Sequence, residues 1–166
     1  MKAILTRRSI RKYKPQAVPD EIITELLTAA MSAPSAGNEQ PWEFVVINDR
    51  KLLDRIPEFH PYATMLKEAP VAILVCGDLK REKHKGYWVQ DCSAATENIL
   101  IAVNEKKLGA VWLGIYPREE RVAGLRKLLG IPENIVPFSL IAIGYPAEVK
   151  EPADRFDPVR VHQNRW

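Results

Sequence analysis

Cysteine is scarce in this 166-residue chain: Cys76 and Cys92 are the only two, with no CxxC and no histidine at metal-ligand spacing. A disulfide scaffold is excluded, and a zinc site has nothing to build on. Histidine is nearly as rare, and His60, His84 and His162 lie far apart. No run approaches the roughly 18 consecutive apolar residues of a membrane span, and the N-terminus lacks the apolar stretch of a secretory leader. The expected setting is a reducing cytoplasm with no membrane partner. The excess of positive charge is small too. A net charge of +3 and a pI near 8.9 do not mark a nucleic-acid binder without a reading motif. Dinucleotide, P-loop and hydrolase signatures (GxGxxG after a strand, GxxxxGKS or GxxxxGKT, GxSxG) are absent, so none of those chemistries has support.

What is present is an ordinary globular composition, 46% apolar and 27% charged, at a length that suits one domain with its own core. Residues 2–8 read as one or two helical turns ending in a basic segment. From Pro19, the apolar residues Ile22, Ile23, Leu26, Leu27, Ala30 and Met31 recur at three and four positions, predicting an amphipathic helix that stops at Pro34. PSAGNEQPW, residues 34–42, reads as a loop, and WEFVVI, 42–47, as a buried strand. A charged helix over 49–56, a helical piece in HPYATMLKEAP and a strand VAILVCG, 71–77, follow.

Tyr87 to Lys107 runs 21 positions without glycine or proline and carries small residues among large apolar ones, predicting the longest helix, buried on more than one side and capped by Gly109. Such a helix either crosses the core or packs on a second copy of itself. AVWLGIYP, 110–117, is a strand breaking at Gly114; 119–130 is a helix; FSLIAIGYP, 138–146, is the fourth strand. The remaining tail is aperiodic yet ends in Trp166, which suggests an arm that docks on its own chain or on a partner. The fold class is α+β: one domain over 1–166, with 147–166 as the arm.

Two segments could carry chemistry. RRSIRKY, residues 7–13, concentrates Arg7, Arg8, Ser9 and Arg11, and guanidinium forks beside a hydroxyl suit a phosphate. The plainer reading is a solvated basic face at a helix end, where cations meet the dipole favourably. Ser35, Asn38 and Gln40 on a glycine-containing loop offer hydroxyl and amide groups of the kind that read a heterocycle's edge; the plainer reading is a connection between helix and strand. Each cysteine falls in an apolar run and reads as a small buried thiol.

Taken in order, RRSIRKY, APSAGNEQPWEFVVI, a long helix before GAVWLGIYP, and the terminal VHQNRW resemble the nitroreductase family of flavoprotein oxidoreductases. The resemblance spans nearly the whole chain. It implies a nitroreductase-like fold, a central mixed sheet of about four strands flanked by helices and open to extension by the partner's arm, in an intertwined homodimer with FMN at the interface. By match to the family pattern, Arg7, Arg8 and Ser9 would hold the phosphate and ribityl end, and Arg11 would lie near the pyrimidine side of the ring. Pro34, Ser35 and Asn38 would come from the other subunit, with Gln40 nearby, while Leu113 and Gly114 lie against the ring. Arg155, or else Arg160, would supply the family's C-terminal basic contact to the phosphate.

The resemblance further implies NADH or NADPH as donor, a ping-pong cycle, and a small-molecule acceptor such as a nitroaromatic or quinone, with the flavin and no protein nucleophile performing the redox step. His60, Tyr62, Met65 and Tyr87 could border the open face or be structural. DLKREKHKG, 78–86, reads as a solvated loop in preference to a landing site for nicotinamide phosphates. A flavin-binding sensor or storage protein without turnover would carry the same binding motifs. Nucleic-acid binding through RRSIRK is the weakest reading.

Overall fold

The structure is a computed structural model that describes residues 1–166. Four strands, β1 (Trp42–Ile47), β2 (Val71–Asp78), β3 (Gly109–Gly114) and β4 (Ile135–Gly144), form one sheet in the order β1-β2-β4-β3. Every neighbouring pair is antiparallel. The expected parallel component shrinks to a single bridge between Ser9 and Ala110 outside the named strands. The reason is topological: β2 and β3 do run parallel, but β4 lies between them and opposes both.

The helices α1 (Lys2–Thr6), α2 (Asp20–Met31), α3 (Arg50–Arg55), α4 (Trp88–Glu105) and α5 (Glu119–Leu129) divide between the two faces. Strand periodicity sorts the core accordingly. Val71, Ile73 and Val75 of β2 join Ile141 and Ile143 of β4 under α2 and α4, while Ala72, Leu74 and Cys76 join Leu140 and Ala142 on the face that packs α3 and α5. The two central strands are therefore apolar almost throughout. WEFVVI differs from its expected burial. As the sheet's edge, β1 is half-buried along its middle, and Val46 is exposed.

Apolar spacing in α2 places Ile23, Leu26 and Ala30 inward, as the pattern predicts. Helix α4 buries Trp88, Cys92, Ala95, Thr96, Ile99, Leu100 and Val103 against α2 and the sheet, so it does run through the core. Its end is built otherwise than expected. Lys107 takes the left-handed conformation (φ 59°), whereas Gly109 opens β3 at a point where a Cβ would come within 2.7 Å of Ile10. Gly109 is thus a close-approach residue, not a cap. Gly130, left-handed at φ 66°, does cap α5.

Candidate functional site

Segment 7–13 leaves α1 and runs along the free edge of β3. The Ile10 N–H donates to Ala110 O at 2.9 Å, and the Tyr13 hydroxyl donates to Ile10 O at 2.7 Å. The next crossing fixes it to the chain beyond β4: Lys14 N–H donates to Tyr145 O at 2.8 Å, and Ala147 N–H to Lys12 O at 2.9 Å. Two sequence-distant groups become one strip by this pairing, the arginines on one side and β3 on the other.

A cavity of about 280 Å³ at the strip's start is lined by Arg7, Arg8, Asn104, Lys107 and Lys150, among others. The three arginines differ in what they have to spare. Arg7 makes one ion pair, with Glu97 at 3.5 Å. Arg8 is tied to backbone: its Nε donates to Glu151 O at 2.7 Å, its Nη2 to Leu5 O at 3.2 Å, and its Nη1 to Arg7 O. The Arg11 guanidinium has no partner in the chain, and neither has the Ser9 hydroxyl.

Lys150, which sequence reasoning passed over, donates to Ser9 O at 2.7 Å and lies 3.4 Å from the Glu148 carboxylate. Glu148 in turn accepts from Arg11 N–H, and that bond, with help from Lys150, holds its carboxyl below the usual range despite burial. The donor set is one that gathers an anion.

A second cavity, about 420 Å³, opens at the far end of β3 and is lined by Arg11, His60, Tyr62, Met65, Leu113, Gly114 and Arg121, among others. Three of the four residues suggested for the open face gather here; Tyr87 stands apart, beside His84. Arg121 Nη1 donates to Gly114 O at 2.7 Å, and its guanidinium lies 5.6 Å from the centre of the Tyr62 ring. His60 is buried with neither ring nitrogen hydrogen-bonded; burial, then the Arg121 charge, lowers its pKa below the usual imidazole value. No atom lies within 4 Å of a Cβ built on Gly114. The backbone there faces open space.

The loop singled out by sequence is elsewhere. Pro34, Asn38 and Gln40 are exposed, Ser35 is half-buried, and none of the four lines either cavity. Ser35 Oγ accepts from Gln40 N–H, and Gln40 Nε2 donates to Asn38 Oδ1, both at 3.0 Å. Arg155 lies in an exposed tail whose hydrogen bonds are local, as Arg160 with Asp157 at 3.1 Å shows. Trp166 is fully exposed and stacks only on His162, so the arm docks on its own chain through residues 147–151 and not beyond them.

A model of the nitroreductase family matches residues 4–60 and 58–145. The chain belongs to the nitroreductase family. A Methanothermobacter thermautotrophicus protein named "Putative NADH dehydrogenase/NAD(P)H nitroreductase" is 55% identical, over 100% of this chain and 87% of that one. An FMN-dependent nitroreductase of Clostridium difficile R20291 superposes with a TM-score of 0.92 at 31% identity, covering 100% of both chains. A "putative nitroreductase in complex with fmn" from Desulfovibrio desulfuricans gives 0.86 at 32% identity, over 99% of this chain and 96% of that one. Within this nitroreductase-family chain, the two cavities and the strip of β3 between them are the candidate site.

Proposed function

We propose that the protein is an FMN-dependent oxidoreductase that takes electrons from NADH or NADPH and passes them to a small acceptor, a nitroaromatic or quinone, in two alternating half-reactions. The observation that carries this reading is the strip itself. A phosphate-suited donor cluster and an open glycine backbone lie at opposite ends of one strand edge, as a ligand with an anionic tail and a flat ring requires. Relatives named FMN reductase and NADPH-flavin oxidoreductase, in Bacillus subtilis and Vibrio harveyi, support it.

The residues present fit FMN. Arg7 and Ser9 have donors to spare for the phosphate and ribityl end, with Lys150 beside them, and Arg8 braces the segment through backbone carbonyls. Bound FMN would supply the two-electron chemistry. Arg11 contributes an unpaired positive charge at the ring's place, which stabilises negative charge developing there by fixed electrostatics. Leu113 provides an apolar wall, and Gly114 leaves room for close approach. Arg121 holds the Gly114 carbonyl in position, so the peptide does not turn as the ligand arrives.

The rest of the site comes from a second copy. The side chains of Ser35, Asn38 and Gln40 bond only within their own loop, beside exposed Pro34, and Arg155 rides on a tail with apolar residues in water. A homodimer in which each copy's loop and arm complete the other's site satisfies both. Cys76 and Cys92, buried and unpaired, suit a reducing cytoplasm. The test is a visible spectrum of the purified protein with anaerobic addition of NADH, then NADPH. A flavin band that bleaches with a donor and returns with a quinone or nitro compound supports the reading; a colourless protein that takes up no FMN defeats it.

A further inference from the structure

The loop 34–40 is a costly shape. Gly37, Asn38 and Gln40 all sit in the left-handed region, with φ of 51°, 55° and 47°, which only the glycine adopts without penalty. Something must hold it, and no strand or helix pairs with it. Two buried carboxyls do. Glu39, 5% exposed, points back into the protein and accepts from the Lys83 and His84 N–H groups at 2.6 and 3.0 Å. Asp91, 4% exposed in the first turn of α4, accepts from Ala36 N–H at 3.0 Å. The loop is thereby tied at both ends, to the 83–84 segment and to α4.

Each carboxyl has one oxygen left over. Glu39 Oε1 and Asp91 Oδ2 are buried and find no donor anywhere in the chain, although both carboxyls serve the same turn, Glu39 as its last residue and Asp91 through the Ala36 N–H. Two ionised carboxylates buried on one turn would repel and leave both oxygens unsatisfied; one proton between them gives each a partner. We propose that Glu39 and Asp91 share a single proton and act as positioning residues that hold loop 34–40 in the shape its cofactor contact requires. The inference rests on the reading that this loop meets FMN in the partner protomer.

The proton belongs on Asp91. Burial raises its pKa, one N–H from Ala36 opposes, and the hydrogen bond and charge of Glu39 raise it further. Burial would raise Glu39 as well, but the His84 and Lys83 N–H groups and the bond to Asp91 outweigh it, leaving that carboxyl below its usual range. The other titratable groups facing the pair are Glu82, which adds to the rise at Asp91, His84, which favours the Glu39 charge, and the buried Cys92 thiol on α4. None offers a competing donor to the two orphaned oxygens.

A raised folded-state pKa means that the native chain keeps a proton the unfolded chain has released. The contribution of Asp91 is therefore full below the ordinary aspartate range, declines as pH rises, and is gone above its folded pKa. Asp91→Asn replaces the shared O–H with a permanent N–H while keeping the acceptor for Ala36. The experiment measures FMN affinity of the dimer and the melting temperature of the apoprotein from about pH 4 to about pH 10, for wild type, Asp91→Asn and Asp91→Ala.

Wild type should lose affinity and melting temperature as pH rises through this limb, above the ordinary aspartate range. Asp91→Asn should lack the limb and keep the low-pH affinity, and Asp91→Ala should bind roughly tenfold more weakly throughout. A limb of equal size in wild type and Asp91→Asn, or Asp91→Asn as weak as Asp91→Ala, overturns the proposal. Should Asp91→Ala fail to fold, the comparison of wild type with Asp91→Asn still decides. If wild type binds no FMN at any pH, the cofactor reading falls, and the apoprotein melting limb decides the shared proton separately.

Discussion

Segment 7–13 and the C-terminal tail 152–166 are both irregular and basic, yet one is fixed and the other is bare. The first is fastened by backbone bonds to β3 and to residues 145–147, with Ile10 and Tyr13 buried in the core. The second exposes Phe156, Val159, Val161 and Trp166 and bonds only to itself. Apolar side chains held in water contribute nothing to the monomer. On the proposed reading, the difference separates the half of the site that one chain completes from the half that a second copy would complete.

The largest effect should come from removing the unfinished half. A chain ended after Glu151 keeps the Arg8 bond to the Glu151 carbonyl and loses only the bare segment. We expect it to elute as a monomer and to purify without flavin, since interfaces of the size that wraps a partner commonly leave no stable monomeric site. A truncated dimer that stays yellow would show that the arm is dispensable.

Next in size is an attack on the fixed half. Arg7→Ala removes a charged donor from the cluster while leaving the Arg8 brace untouched. A charge-assisted bond is worth about 1.5–3 kcal/mol, so FMN affinity should weaken by roughly tenfold to a hundredfold. The melting temperature of the apoprotein should barely move, because the only ion pair lost is with half-exposed Glu97. Unchanged FMN affinity would remove Arg7 from the phosphate site.

Two glycines of β3 sharpen the same contrast. At Gly109 a Cβ would press on Ile10 at 2.7 Å, so Gly109→Ala should cost about 1–3 kcal/mol of stability by overpacking. At Gly114 the chain leaves the space open, so Gly114→Ala should change apoprotein stability by less than about 0.5 kcal/mol. Its effect should appear in flavin affinity or in the rate of reduction by NAD(P)H. Equal and purely structural losses at both positions would mean that Gly114 faces no ligand.

These positions also show what the sequence could carry. Periodicity placed the inward residues of α2 because a helix buries its own stripe whatever lies opposite. It could not tell that β1 is an edge strand, for that depends on which strand lies beside it. Gly109 follows a long helix and looks like a cap; only the approach of Ile10, 99 residues earlier, makes it a contact residue. Lys150 and Glu148 lie in an aperiodic tail, and the crossing at residues 145–147 is what brings them beside Arg11. Glu39 and Asp91 are lone acids in a polar loop and a helix start, and nothing local announces that both anchor the turn at residues 36–39. Family resemblance points to the arginines of segment 7–13 and to Arg155 or Arg160 in the tail, and it is silent on Lys150.

The smallest effect should mark the border between the two regions. Glu148 is among the last residues of the fixed half, and the Arg11 N–H and then Lys150 hold its carboxyl below the usual range. A depressed folded pKa means that the unfolded chain takes up the proton first as pH falls. The stabilisation is thus present above the ordinary glutamate range, near pH 4.3, and is lost as pH falls through the folded value. Glu148→Gln should lower the melting temperature slightly at neutral pH, and the gap to wild type should close in acid. Because the side chain is 20% exposed and its partners reach water, solvent screening should keep the gap to about 1 kcal/mol or less. A gap that persists unchanged in acid would mean that Glu148 acts through packing, and that the junction between strip and tail is held by its backbone bonds alone.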